Sequence, residues 1–482
     1  MSERNISPSD NLSLEETDRR AVFHPNTVLG AFERGELGDP TIITGADGIR
    51  IRDQKGRSYI DAFAALWCVN IGYGRTEIAD ALAAQARQLA YYHAHAGHSS
   101  EPVIRLSDRV IRMAPAGMSH VFWGLQGSDA HETQVKMTWY YNNARNLPNK
   151  KKIISRRRAY HGLTIVSASL SGLPNYHKAF DLPLGPIRHT MAPYYYWRDD
   201  PAMTEAEYAR YCADQLDALI EAEGPETVAA FIGEPVMGVG GILPPPADYW
   251  QQIQRVLAKH DVLLMSDEVV CGFGRLGANF GATLYGMQPD MMAISKGLTS
   301  GYFPLAGSIV GERVWREIQA ASDRLGPYAH GFTYAAHPLG AAVALTNLDI
   351  IERERLIDNA RTTGAYLNRR LAEVFAGHDM VGEVRGVGLL ACVEFVADRV
   401  RRTRFDAALK VGQRIAAACR ERGLIVRPLP EGDMLGFSPP LIVKPADIDE
   451  MVAISHAAVA AVADQLVAEG AWRPPAKVRS PR

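Results

Sequence analysis

Cysteine is scarce in this chain. The five residues in 482 (Cys68, Cys212, Cys271, Cys392 and Cys419) are odd in number and scattered, with no C-x-x-C pair. That spacing excludes a readable disulfide framework or structural zinc site, and the expectation is reduced thiols in a cytoplasmic protein. Net charge is equally thin, since 52 Lys and Arg face 54 Asp and Glu for a formal −2. No overall field draws such a chain to nucleic acid or to an anionic membrane. No segment reaches the roughly 18 uninterrupted apolar residues of a spanning helix. Residues 1–20 are polar and charged, so no secretory signal is expected, and the Pro-, Lys- and Arg-rich stretch 472–482 reads as a frayed tail.

What is present is ordinary for a globular protein: 47% hydrophobic and 22% charged residues. The length allows about three domains, or a large α/β body with a smaller lobe. From 121 to 310 short β-branched or apolar runs (152–155, 228–232, 262–265, 291–294 and 306–310) alternate with helical patterns. In 248–260, for example, Trp250, Ile253, Val256 and Leu257 recur at three- and four-residue steps. That alternation predicts βαβ units and a mostly parallel sheet covered on both faces. Residues 41–61 instead predict short antiparallel strands, with turns at Ala46-Asp47-Gly48 and Gln54-Lys55-Gly56. After a helix over 337–354, the remainder predicts strands at 388–396 and 424–429 with helices at 405–422 and 445–467. An α+β lobe built from both chain ends around a central α/β domain is the simplest arrangement.

Three short segments carry chemistry. Gly124-Leu125-Gln126-Gly127-Ser128-Asp129 lies between a strand and a helix, where free N–H groups and the helix dipole can bind an anion. Taken alone it is also an ordinary βα turn with a serine cap. Met265-Ser266-Asp267-Glu268-Val269 puts two carboxylates at the carboxyl end of an apolar strand, where open α/β sheets place their ligands. Ala293-Ile294-Ser295-Lys296-Gly297 puts a lysine just past another buried strand, where desolvation favours the neutral amine. An anion cup, a carboxylate and an amine at successive strand ends match the phosphate, ring nitrogen and aldehyde of pyridoxal 5'-phosphate.

The order Gly127-Ser128, Tyr160-His161-Gly162, Glu234-Pro235-Val236, Asp267-Glu268-Val269, Ser295-Lys296-Gly297 and His330-Gly331-Phe332-Thr333-Tyr334 resembles class III aminotransferases, pyridoxal-phosphate enzymes of fold type I. The likeness runs from about residue 23 to 467. It implies a mostly parallel central sheet flanked by helices, in a large cofactor domain (76–345), and a smaller α+β domain from segments 1–75 and 346–482. It also implies roles. Lys296 forms the Schiff base and moves the proton, and Asp267 partners the pyridine nitrogen. Tyr160 and Val269 cover the two ring faces, and His161 joins the cofactor-binding set. Gly127 and Ser128 hold the phosphate, helped by Thr333 of the neighbouring subunit in a homodimer or a tetramer. Glu234 is an acid near Asp267. The family usually reads Ser-Gly-Ser-Glu-Ala-Asn where this chain has Gln126-Gly127-Ser128-Asp129-Ala130-His131, so the contacts of side chains 126, 129 and 131 are left open.

The resemblance also bears on the substrates. In the 2-oxoglutarate-using branch an arginine follows the glycine after the stacking aromatic; here that residue is Leu163. The branch's second marker, a glutamate after the Glu-Pro motif, is replaced by Val239. The chain is therefore similar to the amine–pyruvate, or omega-transaminase, branch. Arg427 in Gly423-Leu424-Ile425-Val426-Arg427-Pro428 resembles that branch's mobile carboxylate anchor, and Trp67 its pocket wall. Tyr160, Phe332 and His95 complete the expected substrate pocket. The expected reaction moves an amino group from a primary amine or omega-amino acid to pyruvate in ping-pong fashion. The alternatives are a 2-oxoglutarate user of the 4-aminobutyrate or ornithine type, or a catalytically silent cofactor-binding relative.

Other patterns fall away. His93-Ala94-His95-Ala96-Gly97-His98 has alternate histidines but no carboxylate or cysteine within the run, so pocket lining is favoured over metal binding and no metal site is expected. Gly386-Val387-Gly388-Leu389-Leu390-Ala391 fits a dinucleotide fingerprint literally, yet it precedes a strand instead of opening a helix. The basic runs 150–152 and 156–158 bracket a strand and read as a solvated rim.

Overall fold

A computed structural model of the chain describes residues 12–474. Residues 1–11 and 475–482, which include most of the tail expected to fray, lie outside them. Trp472, at the start of that stretch, is anchored: it is buried and its indole N–H donates to the Ala397 carbonyl at 2.8 Å.

The main sheet has seven strands: β1 (Met118–Gly124), β2 (Lys152–Arg156), β3 (Ile187–Thr190), β4 (Val228–Gly233), β5 (Leu263–Asp267), β6 (Met291–Ile294) and β7 (Ala306–Gly311). Their spatial order is β1-β7-β6-β5-β4-β2-β3. Only β7 runs against the others, pairing antiparallel with β1 and β6 while β6, β5, β4, β2 and β3 pair in parallel. Every residue of β4, β5, β6 and β7 is buried, which is why these strands read as largely apolar runs in the sequence. The edge strands are less covered: β1 exposes His120, and β3, whose Arg188 and His189 are half-exposed, has no strand pattern in the sequence. Because β1, β5 and β6 point the same way, the segments that follow them emerge at one edge of the sheet. Those segments contain Gly127, Asp267 and Lys296.

The chain ends build two smaller sheets. Ile43–Asp47, Arg50–Asp53 and Ser58–Asp61 form an antiparallel meander, and Leu424–Ile425 adds to it in parallel, with Leu424 opposite Ile60. The second sheet contains Val381–Val387, Leu390–Phe395, Met434–Phe437 and Arg427–Pro428. The strand expected over 424–429 is therefore two short strands in two sheets, joined by Val426. The helix expected over 405–422 is shorter, Val411–Glu421, because Lys410 takes a left-handed conformation with φ 49° and breaks it from a short turn at Ala407–Leu409. Helix Pro445–Ala468 has the length and composition to cross a membrane. In this fold it buries Ile448, Met451, Val452 and Val459 while packing on helices Leu356–Val374 and Val411–Glu421. The dinucleotide-like glycines form the turn of a hairpin. Gly388 has φ 54°, and a side chain on Gly364 of the neighbouring helix would come within 2.2 Å of its backbone.

Candidate active site

A cavity of about 620 Å³ opens at the carboxyl edge of β1, β5 and β6. Eleven of the residues expected from the sequence line it: Trp67, Gly127, Ser128, Tyr160, His161, Glu234, Val239, Asp267, Val269, Lys296 and Arg427. Three do not, and they lie together elsewhere. His95 Nε2 is 3.4 Å from the Phe332 carbonyl, and the neighbouring Tyr91 hydroxyl donates to the Thr333 carbonyl. His95 and Thr333 are exposed and Phe332 is half-exposed on this protomer. His95 and Phe332, expected in the pocket, are thus not among the residues that line this protomer's own cavity. Their loops fold against each other, and the Phe332 ring packs beside Gly124 at the end of β1. The His93 and His98 rings meet edge to face at 4.8 Å.

The anion cup begins helix α1 (Gly127–Ala144), whose first-turn N–H groups have no intrahelical acceptor. Its tightness depends on glycine. A side chain on Gly127 would reach 3.0 Å from Val269, and one on Gly162, at φ 118°, would come within 2.2 Å of Ser128 Oγ. Ser128 Oγ accepts from the Leu163 N–H at 3.3 Å, which ties the cup to the Tyr160-His161-Gly162 loop. The side chains left open by the sequence are also accounted for. Asp129 accepts from the Leu125 N–H at 3.2 Å and from the Gln126 amide at 3.4 Å, while His131 turns inward to Asp267.

Asp267 ends β5 and is buried. Its Oδ1 accepts the Val269 N–H at 3.0 Å; its Oδ2 takes His161 Nδ1 at 2.7 Å and faces His131 Nε2 at 3.2 Å. Burial alone would raise its pKa, but His131 and His161 outweigh that and hold it well below the usual carboxylate range. Glu234 behaves oppposite in sign: burial, reinforced by Asp267, pushes it up to about 7. Its two oxygens accept the N–H groups of Tyr160 at 3.2 Å and Gly238 at 2.7 Å. Lys296 follows β6 with φ 47°. Burial lowers its pKa, opposed by Cys68, Asp267 and Glu234, so the neutral amine is more accessible than on a solvated lysine.

The opposite wall is strained backbone. Ala64, Ala65 and Trp67 all have positive φ (48°, 57° and 67°), and Asp61 holds that turn by accepting the N–H groups of Phe63 at 3.0 Å and Ala65 at 2.6 Å. Trp67 reaches the Glu234 loop because Gly238 leaves room: a side chain there would lie 3.0 Å from the indole. Arg427 places its guanidinium 5.6 Å from the Phe63 ring centroid and makes no ion pair among the described residues. Leu163 is exposed outside the cavity. Sequence reasoning missed Tyr176, which lines the cavity and meets Tyr160 edge to face at 5.7 Å. It sits in a short 3-10 turn, Pro174–Tyr176, in a segment with no periodic signal. Burial pushes the Tyr160 hydroxyl up to about 12, so it is uncharged at neutral pH.

A buried carboxylate, a desolvated amine and a glycine-built anion cup converging on one cavity define an α/β enzyme shaped for pyridoxal phosphate. The class-III aminotransferase family model matches residues 32–459, and the chain belongs to that family, whose cofactor is pyridoxal 5'-phosphate. It is 53% identical over 460 residues to a diaminobutyrate–2-oxoglutarate transaminase of Halomonas elongata, covering 95% of this chain and 98% of that one. It superposes on a transaminase from work on directed evolution by ancestral reconstruction with TM-score 0.93 and 58% identity, covering 94% and 99% of the two chains. The omega transaminase of Pseudomonas jessenii in complex with PMP matches with TM-score 0.92 and 42% identity, covering 95% and 99%.

Proposed function

We propose that this transaminase takes the amino group of a primary amine or omega-amino acid and delivers it to pyruvate, releasing alanine. The observation that carries the acceptor is the charge of the cavity wall: among its described lining residues Arg427 is the single arginine. One guanidinium can grip one carboxylate in bidentate fashion. A dicarboxylate acceptor needs a second anchor, and the places where the resemblance would put one hold Val239 in the wall and Leu163 outside it.

When bound, pyridoxal phosphate supplies an aldehyde for the amine and an electron sink for the adjacent carbon. The chain's own groups do the rest. Gly127 and Ser128 hold the phosphate, Asp267 stays anionic to keep the ring nitrogen protonated, and Tyr160 and Val269 confine the ring. The Lys296 Nζ, favoured as a neutral amine, accepts and returns the proton at the substrate carbon. Trp67 and Tyr176 give the amine an apolar wall. Arg427 orients the keto acid and swings clear for donors without a carboxylate.

The clustering of His95, Phe332 and Thr333 outside this protomer's cavity supports a homodimer in which each subunit lends them to the other's site. A cytoplasmic setting, expected from the unpaired cysteines, is part of the same proposal. A second reading, 2-oxoglutarate as acceptor, is favoured by the 53% identity to the Halomonas elongata transaminase, whose name states that acceptor. The test is a half-reaction screen of the amine-loaded enzyme against the two keto acids. Alanine as the dominant product is expected; glutamate without alanine refutes the pyruvate assignment.

A further inference from the structure

His131 stands where the family pattern usually has asparagine, one turn into α1 from the anion cup. Its ring is 1% exposed and has an oxygen near each nitrogen. Nδ1 lies 2.5 Å from the His161 carbonyl oxygen, and Nε2 lies 3.2 Å from Asp267 Oδ2. A neutral imidazole carries one N–H, so one ring nitrogen would turn a lone pair towards an acceptor. The doubly protonated ring instead gives an N–H to the carbonyl and turns a positive charge, not a lone pair, to the carboxylate. His161 differs: its Nδ1 meets Asp267 Oδ2 at 2.7 Å, while its Nε2 has no partner among the described residues. A single proton on Nδ1 is enough there.

We propose that His131 is a positioning residue, a buried imidazolium paired with Asp267 that keeps this carboxylate ionised and fixed in the cofactor site. The surrounding charges are consistent with it. Asp267 faces the ring from β5, Glu234 from the loop after β4 and the neutral His161 from the loop after β2; Arg156 lies behind His161. Burial opposes the charged form of His131, and the two carboxylates more than offset it, so its pKa is raised. Burial opposes the charged form of His161 as well and there prevails, pulling it down to about 4. The two histidines thus divide the work: one supplies charge, the other a neutral hydrogen bond. The 3.2 Å contact of His131 is an ion pair and not an aligned hydrogen bond, so its charge is what matters to Asp267. The inference rests on the cofactor and not on the choice of keto acid, so formation of glutamate instead of alanine leaves it standing.

Two measurements test it. In the wild-type apoprotein with ring-¹⁵N histidine, one imidazole protonated on both nitrogens at pH 7 is expected, assigned by its loss in His131→Asn. Pyridoxal phosphate affinity is then measured by equilibrium dialysis of wild type and His131→Asn between pH 8 and pH 5. The asparagine can still donate a neutral hydrogen bond, but Asp267 loses its counter-ion and protonates at higher pH. The ratio of dissociation constants, variant over wild type, is expected to grow about tenfold or more as pH falls through this range, one pKa unit being a factor of ten in that equilibrium. A neutral His131 ring in the wild type overturns the proposal. So does a ratio that stays constant with pH, the mark of a merely structural role.

Discussion

Removing the guanidinium of Arg427 should separate the two halves of the proposed reaction. The side chain is half-buried at the cavity wall, over the Phe63 ring and without an ion pair among the described residues, so its charge is free for a ligand. A bidentate contact with a carboxylate makes two charge-assisted hydrogen bonds, each about 1.5–3 kcal/mol when well shielded. Half exposure screens this, and a combined loss of about 2–3 kcal/mol is the reasonable expectation. At about 1.4 kcal/mol per tenfold, Arg427→Ala should lower kcat/KM for pyruvate roughly 30- to 150-fold. A donor amine with no carboxylate makes no such contact, and its half-reaction should change by less than about threefold, reflecting lost packing on Phe63 alone. Stopped-flow absorbance of the two single-turnover half-reactions reads the two effects separately. Arg427→Lys keeps the charge without the planar fork and should fall between. Equal losses in both half-reactions refute the argument, because they mark Arg427 as a general support of the cavity and not as the carboxylate anchor.

The other expectations concern the cup and the buried acid. Gly162→Ala forces a side chain into a position 2.2 Å from Ser128 Oγ at φ 118°, so pyridoxal phosphate affinity should fall at least about tenfold with a lowered Tm; unchanged affinity by dialysis would show that Ser128 is dispensable to the cup. Glu234, pushed up to about 7, keeps its proton in the folded state at pH values where the unfolded chain has lost it. Between about pH 4.5 and 7 the native state binds more protons, so stability declines as pH rises, by about 3 kcal/mol over that window for this group. Glu234→Gln cannot ionise and should flatten the decline, whatever fixed penalty its amide suffers from facing two N–H donors. Urea unfolding of apoprotein at pH 5 and pH 8 checks this; an unchanged slope in the variant would count against it.

Legibility in the sequence followed burial and locality. Met291–Ile294 matches its expected bounds because a strand buried on both faces needs a largely apolar run, and β4 to β7 are all of that kind. The β3 strand escaped because an edge position tolerates Arg188 and His189, leaving four residues with no pattern. The break at Val426 escaped because its two flanking strands look continuous along the chain and differ only in their distant partners, Ile60 and Gly436. In the site, Lys296, Asp267 and Gly127 announce themselves by standing just past apolar runs. His131 does not: its partner is 136 residues away in sequence, and nothing local distinguishes a histidine that faces a carboxylate from one that faces solvent. His95 is legible only in part for a related reason. A histidine-rich run signals chemistry but not direction, and here the segment turns to the Phe332 loop.

The split of 424–428 across two sheets has a consequence for how the protein is made. The meander over residues 43–61 leaves the ribosome early, yet its fourth strand, Leu424–Ile425, is translated only when most of the chain is already out. Two residues behind that strand comes Arg427, on the sheet that Met434–Phe437 completes later still. Phosphate cup, lysine and aspartate can all be in place on the nascent chain, but Arg427, the proposed anchor of the keto acid, arrives nearly last. Synthesis therefore completes the cofactor cradle before the substrate anchor, and a chain truncated before residue 424 would carry the first without the second.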